Sequence, residues 1–269
     1  MTANILSIAG SDPSGGAGIQ ADLKAFSARG TYGMAALTAL TAQNTTGVSG
    51  VHMVPPEFVA QQIADVFADV RVDAVKIGMI ATAEIALAVA GALAPHRGMP
   101  IVLDPVMVAK GGASLLDPAA VEALKSDLVP LATHLTPNLP EAAALLGTAP
   151  ATDRAAMSAQ AGALHALGPD WIVLKGGHLG GTDSPDLLAG PDESMWLEAP
   201  RTDTPNTHGT GCTLSAALAA ELGKGQDTMS ALRAAKAYLS GAVAHAERLD
   251  VGRGHGPTHH FHALWRETD

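Results

Sequence analysis

The run Ile5-Leu6-Ser7-Ile8-Ala9, continuing through Gly10-Ser11-Asp12-Pro13-Ser14-Gly15-Gly16-Ala17-Gly18 into Ile19-Gln20-Ala21-Asp22, decides the fold class. A mostly apolar stretch, a glycine-rich turn and a helical pattern over 18–28 make a strand, a loop and a helix in succession. The same order recurs along the chain. Short apolar runs at 74–77, 101–103 and 171–174 read as further strands buried on both faces. Helical patterns occupy 57–68, 83–93, 118–128, 141–146, 154–167, 210–222 and 229–248. This alternation predicts an α/β fold with a mostly parallel central sheet and helices on both faces. Residues 187–197, with Gly190-Pro191 at their middle, read as a small antiparallel hairpin at the sheet edge. Ligands of such sheets sit beyond the carboxyl ends of the strands. Gly10-Ser11-Asp12-Pro13, Gly78-Met79, Asp104-Pro105 and Lys175-Gly176-Gly177 all follow those ends and so predict one shared site.

Composition bounds the rest. A chain of 269 residues, 47% of them hydrophobic, is enough for one sizeable domain spanning 1–269 with a full core. No internal repeat or clear linker divides it. The single cysteine excludes an intrachain disulfide and multi-cysteine zinc sites, which suits a reducing, cytoplasmic location. Neither a secretory leader pattern nor a run of 18 apolar residues is present, so no membrane partner is expected. A net charge of −10 argues against nucleic acid as the main partner. An anionic substrate would then need local help from helix ends, lysines and a metal.

Two glycine motifs invite a nucleotide-fold reading and do not sustain it. Gly16-Ala17-Gly18-Ile19-Gln20-Ala21 matches a dinucleotide fingerprint in its strand-to-helix context. The carboxylate that should meet a ribose about 20 residues on is missing, because the chain there reads Thr38-Ala39-Leu40-Thr41-Ala42. Gly223-Lys224 is followed by Gly225 and ends a helix, so it is not a phosphate-binding loop of the Walker type.

Asn206-Thr207-His208-Gly209-Thr210-Gly211-Cys212-Thr213 places the one cysteine at the start of an alanine-rich helix. Gly209 and Gly211 allow a tight turn, and the helix aims its unpaired first-turn N–H groups and positive dipole end at one point. Such a terminus suits phosphate. A thiol there is expected to have its thiolate favoured relative to the usual pKa of roughly 8.5. The alternative is a small buried residue in a helix cap. Asp104 and Glu141 should project at the same sheet edge and suit a magnesium-phosphate site, since Mg²⁺ takes one or two carboxylates beside phosphates and water. Separately, each also reads as a cap or turn residue, as does Asn138.

Taken together, Ala9-Gly10-Ser11-Asp12, Ser14 to Asp22, Thr41-Ala42-Gln43-Asn44-Thr45, Lys76-Ile77-Gly78-Met79, Asp104-Pro105-Val106-Met107, Thr136-Pro137-Asn138-Leu139-Pro140-Glu141, Lys175-Gly176-Gly177-His178 and Gly209-Thr210-Gly211-Cys212 carry a family resemblance. In order and spacing they closely resemble the hydroxymethylpyrimidine/phosphomethylpyrimidine kinases of thiamine biosynthesis, in the ribokinase-like superfamily. The tail, Gly252-Arg253-Gly254-His255-Gly256-Pro257 with His260-Phe261-His262, is similar to that family's ending. The resemblance argues against a metal role for its histidines.

The resemblance implies ATP-dependent phosphorylation of the pyrimidine's hydroxymethyl group and then of the phosphate just formed, with ATP and Mg²⁺ as cofactors and a homodimeric assembly. It implies that Gln43 hydrogen-bonds the aminopyrimidine, while Gly10, Ala17, Met79 and Val106 line the ring pocket. Asp22 is implied as a pocket carboxylate, or else a charge capping the first helix or facing solvent. Gly209, Thr210, Gly211 and Cys212 would form the anion hole, with Cys212 facing the hydroxymethyl. Lys175 would neutralise phosphates, and Asp104 and Glu141 would serve the metal. The nucleotide base is expected near Ala235-Lys236-Ala237-Tyr238, with Lys236 as a contact. After Lys110 the chain reads Gly111-Gly112-Ala113 where the family tends to have Ser-Gly-Asp, which loosens an expected flap and leaves Lys110 as a phosphate contact or a solvated loop lysine. A pyridoxal kinase is the neighbouring alternative, and a pocket without turnover, a pyrimidine sensor, is the third. Gln43 favours the pyrimidine because an amide matches an aminopyrimidine edge.

Overall fold

The computed structural model describes residues 1–107 and 118–265. Lys110 and the expected flap after it lie outside the described residues. The sheet has nine strands in the order β3-β2-β1-β4-β5-β6-β7-β8-β9. They are β1 (Asn4–Ser11), β2 (Tyr32–Asn44), β3 (Gly47–Met53), β4 (Ala74–Ile77), β5 (Ile101–Leu103), β6 (His134–Leu135), β7 (Trp171–Lys175), β8 (Asp186–Ala189) and β9 (Ser194–Leu197). From β2 to β7 neighbouring strands are parallel. Antiparallel pairings close both ends, β2 with β3 on one side and the β7-β8-β9 meander on the other. The edge hairpin expected at 187–197 is β8 and β9.

Among the described residues, eight helices pack on this sheet: α1 (Gly18–Ala28), α2 (Pro56–Asp69), α3 (Ala83–Leu93), α4 (Pro118–Ala123), α5 (Leu139–Leu146), α6 (Arg154–His165), α7 (Thr210–Gly223) and α8 (Thr228–Ala244). The side chains of successive strand residues point to opposite faces, so each central strand feeds two cores. Leu6, Ile8, Val75, Ile77, Leu103 and Leu174 meet Ile63, Ile85, Val89 and Leu164 on one face. Ile5, Ala74, Val102 and Val173 meet Phe26, Leu214, Leu218 and Leu232 on the other. This is why these strands read as mostly apolar runs, with Ser7 and Lys76 as the buried polar exceptions. The alanines of α7 let it lie close under the sheet, with residues 213–222 buried throughout. Among the described residues, no helix is long and apolar enough to cross a membrane.

Three strands escape the sequence pattern. β2 runs for 13 residues but carries four alanines and only two β-branched residues, Thr38 and Thr41, and β3 is largely exposed. β6 is only two residues long. The expected helix over 118–128 turns into a π-type turn at Leu124–Leu128, and the last helix stops at Ala244 before a 3₁₀ turn at Ala246–Arg248.

Candidate active site

The carboxyl ends of β1, β4, β5 and β7 open into a cavity of about 580 Å³, walled by the loop after β1, a bulge in β2 and the N-terminus of α7. Its lining includes Gly10, Ala17, Gln43, Met79 and Val106. A Cβ on Gly10 would meet the Met79 methyl, so Met79 would have to shift to admit a side chain there. The bulge at Ala42/Gln43 shifts the β2 register, and such irregularities re-aim a side chain. Thr41 Oγ1 donates to Ser11 O at 2.8 Å and lies 3.1 Å from Gln43 Oε1.

The same cavity carries a cluster of charges. Lys175, at the end of β7, donates to Asp104 Oδ1 at 2.8 Å and lies 3.8 Å from Glu141 Oε2. Asp104 ends β5 almost fully buried, and Ser215 Oγ donates to its second oxygen at 3.2 Å. Burial works against the Asp104 charge, but the nearby ammonium groups of Lys175 and Lys76 outweigh it and hold the carboxyl below its usual range. Glu141 closes a capping box with Asn138: its Oε2 accepts Asn138 N–H at 2.7 Å while Asn138 Oδ1 accepts Glu141 N–H at 2.9 Å. Burial pushes Glu141 up to about 7, since Lys175 compensates only in part and Asp104 adds to the rise. Glu141 therefore caps α5, and both carboxylates lie beside Lys175 and line the cavity.

Gly209 is the N-cap of α7 and adopts a left-handed backbone, φ 78°, with no side chain capping the first turn. Gly211 packs against the pair just described, since a Cβ on it would lie 3.3 Å from Lys175 Nζ and 3.5 Å from Asp104 Oδ2. The turn, the lysine and the aspartate thus converge on one corner. Cys212 is half-buried beside them. The expectation of a favoured thiolate is reversed here. Burial pushes the Cys212 thiol up to about 11, and Asp22 and Asp104 add to it, overriding Lys76 and the Gly18 N–H.

Two expected contacts lie outside the cavity wall. Asp22 is fully buried on α1, where it accepts from Ser7 Oγ at 2.6 Å and from Lys76 Nζ at 2.9 Å on each oxygen. The readings of Asp22 as a pocket group, a helix cap or a solvent-facing charge give way to a counter-ion for Lys76, which does line the cavity. Asp22 holds the Lys76 ammonium protonated against its burial. Lys236 is also enclosed, donating to Asp186 Oδ2 at 2.7 Å and Ser184 O at 3.0 Å. Asp186 Oδ1 accepts Gly176 N–H at 3.1 Å, so Lys236 braces the loop after β7 from behind. Tyr238, in the same stretch, donates to His260 O at 2.8 Å and is buried.

Lys76, Asp12 and His208 are cavity residues to which the sequence reading assigned no role. Lys76 carried a usable signal, because a lysine inside a four-residue strand buried on both faces needs a buried partner. For Mg²⁺, the donor set of Asp104 and Glu141 fits: both offer hard carboxylate oxygens that line the cavity. Since each carboxylate already has protein partners, the fit is to an ion shared with phosphates and water.

A family model described as phosphomethylpyrimidine kinase matches residues 12–259. The hydroxymethylpyrimidine/phosphomethylpyrimidine kinase of Salmonella typhimurium is 53% identical over 262 residues, covering 97% of this chain and 98% of its own. Among solved structures, an ADP complex of Bacillus subtilis pyridoxal kinase superposes with a TM-score of 0.89 at 37% identity, covering 98% of this chain and 99% of its own. The phosphomethylpyrimidine kinase of Clostridium difficile superposes with a TM-score of 0.81 at 41% identity, covering 90% and 100%.

Proposed function

The chain belongs to the phosphomethylpyrimidine kinase family, and we propose that residues 1–269 form one catalytic unit whose cavity performs both phosphorylations of that family. It is a hydroxymethylpyrimidine/phosphomethylpyrimidine kinase of thiamine biosynthesis, making first the monophosphate and then the diphosphate of 4-amino-5-hydroxymethyl-2-methylpyrimidine. The observation that carries the assignment of roles is the meeting of Lys175, Asp104 and the Gly209–Gly211 turn at one corner of the cavity that Gln43 also lines.

In this reading Gln43 hydrogen-bonds the aminopyrimidine, and Gly10, Ala17, Met79 and Val106 hold its ring. The N–H groups of the turn receive the transferred phosphoryl group, and Lys175 neutralises it. Positioning and electrostatics supply most of the acceleration in such a transfer. Asp104 and Glu141 would hold Mg²⁺, which when bound neutralises phosphate charge. Cys212 accepts the alcohol proton in the first step as the small thiolate population that Lys76 and the Gly18 N–H favour. The second step needs no base, because its nucleophile is an ionised phosphate oxygen. The protein works in the cytoplasm as a homodimer, and the exposed apolar side chains Tyr32, Leu40, Val51 and Met53 on the β2-β3 edge support such a contact.

A second reading, pyridoxal phosphorylation in the same cavity, is favoured by the superposition on pyridoxal kinases. Incubation with Mg-ATP and either vitamin precursor, with ADP and products followed by mass, separates them. The pyrimidine mono- and then diphosphate are expected. Pyridoxal phosphate as the only product would replace the pyrimidine reading.

A further inference from the structure

We propose that Asp12 and His208 are positioning residues that lock the anion-binding turn at Gly209–Gly211 to the loop after β1; this rests on the kinase reading above. Asp12 is almost fully buried, and each of its oxygens takes two donors. Oδ1 accepts Ser14 N–H at 2.9 Å and Ser14 Oγ at 2.6 Å. Oδ2 accepts Ala17 N–H at 2.9 Å and His208 Nε2 at 2.7 Å, across 196 positions of sequence. An ionised carboxylate only accepts, so His208 carries its proton on Nε2. Burial alone would raise the Asp12 pKa, yet the bonds from His208 and Ser14 outweigh it and keep the carboxyl ionised.

His208 is the residue immediately before the Gly209 cap. Its own N–H donates to Gly256 O at 3.0 Å, and it forms a parallel bridge with Pro257. Gly16 leaves room for the imidazole, and a Cβ on Gly209 would collide with Gly16 O. The turn is thereby clamped between the Asp12 loop and residues 256–257. A carboxylate with four donors in a closed site is an aiming device for the backbone N–H groups next to it, because it sets both the loop holding the pyrimidine ring and the turn receiving the phosphoryl group. Loosening it should cost the transfer step and phosphate binding, and leave ring binding nearly intact.

The test compares His208→Ala with His208→Gln, whose amide can restore a donor at the Nε2 position. In His208→Ala, kcat for the pyrimidine is expected to fall about 100-fold, the scale of a 1 Å misplacement, while the pyrimidine Kd changes less than about threefold. His208→Gln is expected to recover to within about tenfold of the unaltered protein. Asp12→Asn combined with His208→Ala should be no worse than His208→Ala alone, as for groups acting as one unit. Calorimetry gives a readout without turnover: the affinity gained by the pyrimidine monophosphate over the pyrimidine should vanish in His208→Ala and return in His208→Gln. Equal loss in both variants with unchanged thermal midpoints, or a rise in KM at unchanged kcat, overturns the proposal. An unaltered protein that makes no ADP would defeat the kinase reading, while the calorimetric comparison would still decide the clamp. If Asp12→Asn does not fold, the two His208 variants still decide it.

Discussion

Lys76 and Asp22 form an ion pair with neither side chain exposed, each carboxylate oxygen lying 2.9 Å from the ammonium. Removing one partner leaves a charge stranded beneath the cavity. Asp22→Ala is therefore expected to lower unfolding stability by about 3–5 kcal/mol, and Lys76→Met combined with Asp22→Leu to recover most of that loss. Urea unfolding measures both. A loss below about 1 kcal/mol in Asp22→Ala would mean that water reaches Lys76 and that the pair is not a sealed one.

Glu141 links stability to pH in the acidic range. Its folded pKa is raised to about 7 from a reference of 4.5, so the folded protein holds this proton more tightly than the unfolded chain does. The stability it contributes is full below about 4.5 and is lost as pH rises through about 7. Glu141→Gln keeps an acceptor for the Asn138 N–H and removes the charge, so it should flatten that slope and be at least as stable as the unaltered protein at pH 8. Its kinase activity should nevertheless fall. Thermal midpoints from pH 4.5 to 8 check the first point; a parallel slope in both proteins refutes it.

Cys212 should separate the two phosphoryl transfers. With a pKa near 11, about one molecule in 10⁴ carries the thiolate at pH 7. If that form is the base, the first transfer accelerates by about tenfold per pH unit between 7 and 9, and the second is nearly flat. Cys212→Ala is expected to slow the first step about 10²- to 10⁴-fold and the second by far less. Single-turnover measurements starting from the pyrimidine and from its monophosphate test this. Equal losses in both steps would make Cys212 a shaping element of the turn.

Gly209 admits no side chain. Its φ of 78° and the proximity of Gly16 O both oppose a Cβ. Gly209→Ala is expected to cost at least about 10²-fold in kcat, comparable to losing one donor of an anion hole. A near-normal kcat would show that the turn can shift without loss and would weaken the assignment of its N–H groups to the phosphoryl group.

The fold was legible wherever strands are buried on both faces. Residues 74–77 and 101–103 coincide with β4 and β5, because side chains between two helical layers are mostly apolar, Lys76 being admitted only with its partner Asp22. β2 was not legible, since an alanine- and threonine-rich strand paired with an exposed β3 has no continuous apolar signature. In the site, Asp104 and Lys175 were legible because they follow buried strands, and Glu141 because it opens a capped helix. The partnerships were not. Asp22 with Lys76 and Asp12 with His208 join residues 54 and 196 positions apart, and local pattern contains no information on which buried charge meets which. Lys236 was expected at the nucleotide because its neighbourhood resembles the family's, whereas packing turns it inward to Asp186.

The clamp around Gly209 also constrains how the enzyme comes into being. Its parts are contributed by residues 12–17, 207–211 and 256–257, and Thr213 Oγ1 further meets His260 Nε2 at 3.0 Å. During synthesis the ring-binding loop emerges early, but its counterpart arrives almost 200 residues later and the outer brace later still. Contacts of such long sequence separation form slowly and late. A nascent chain stopped at 250 would carry every side chain assigned to chemistry and still lack the backing of its phosphate turn, so phosphorylating activity is expected only once residues 256–257 have been made.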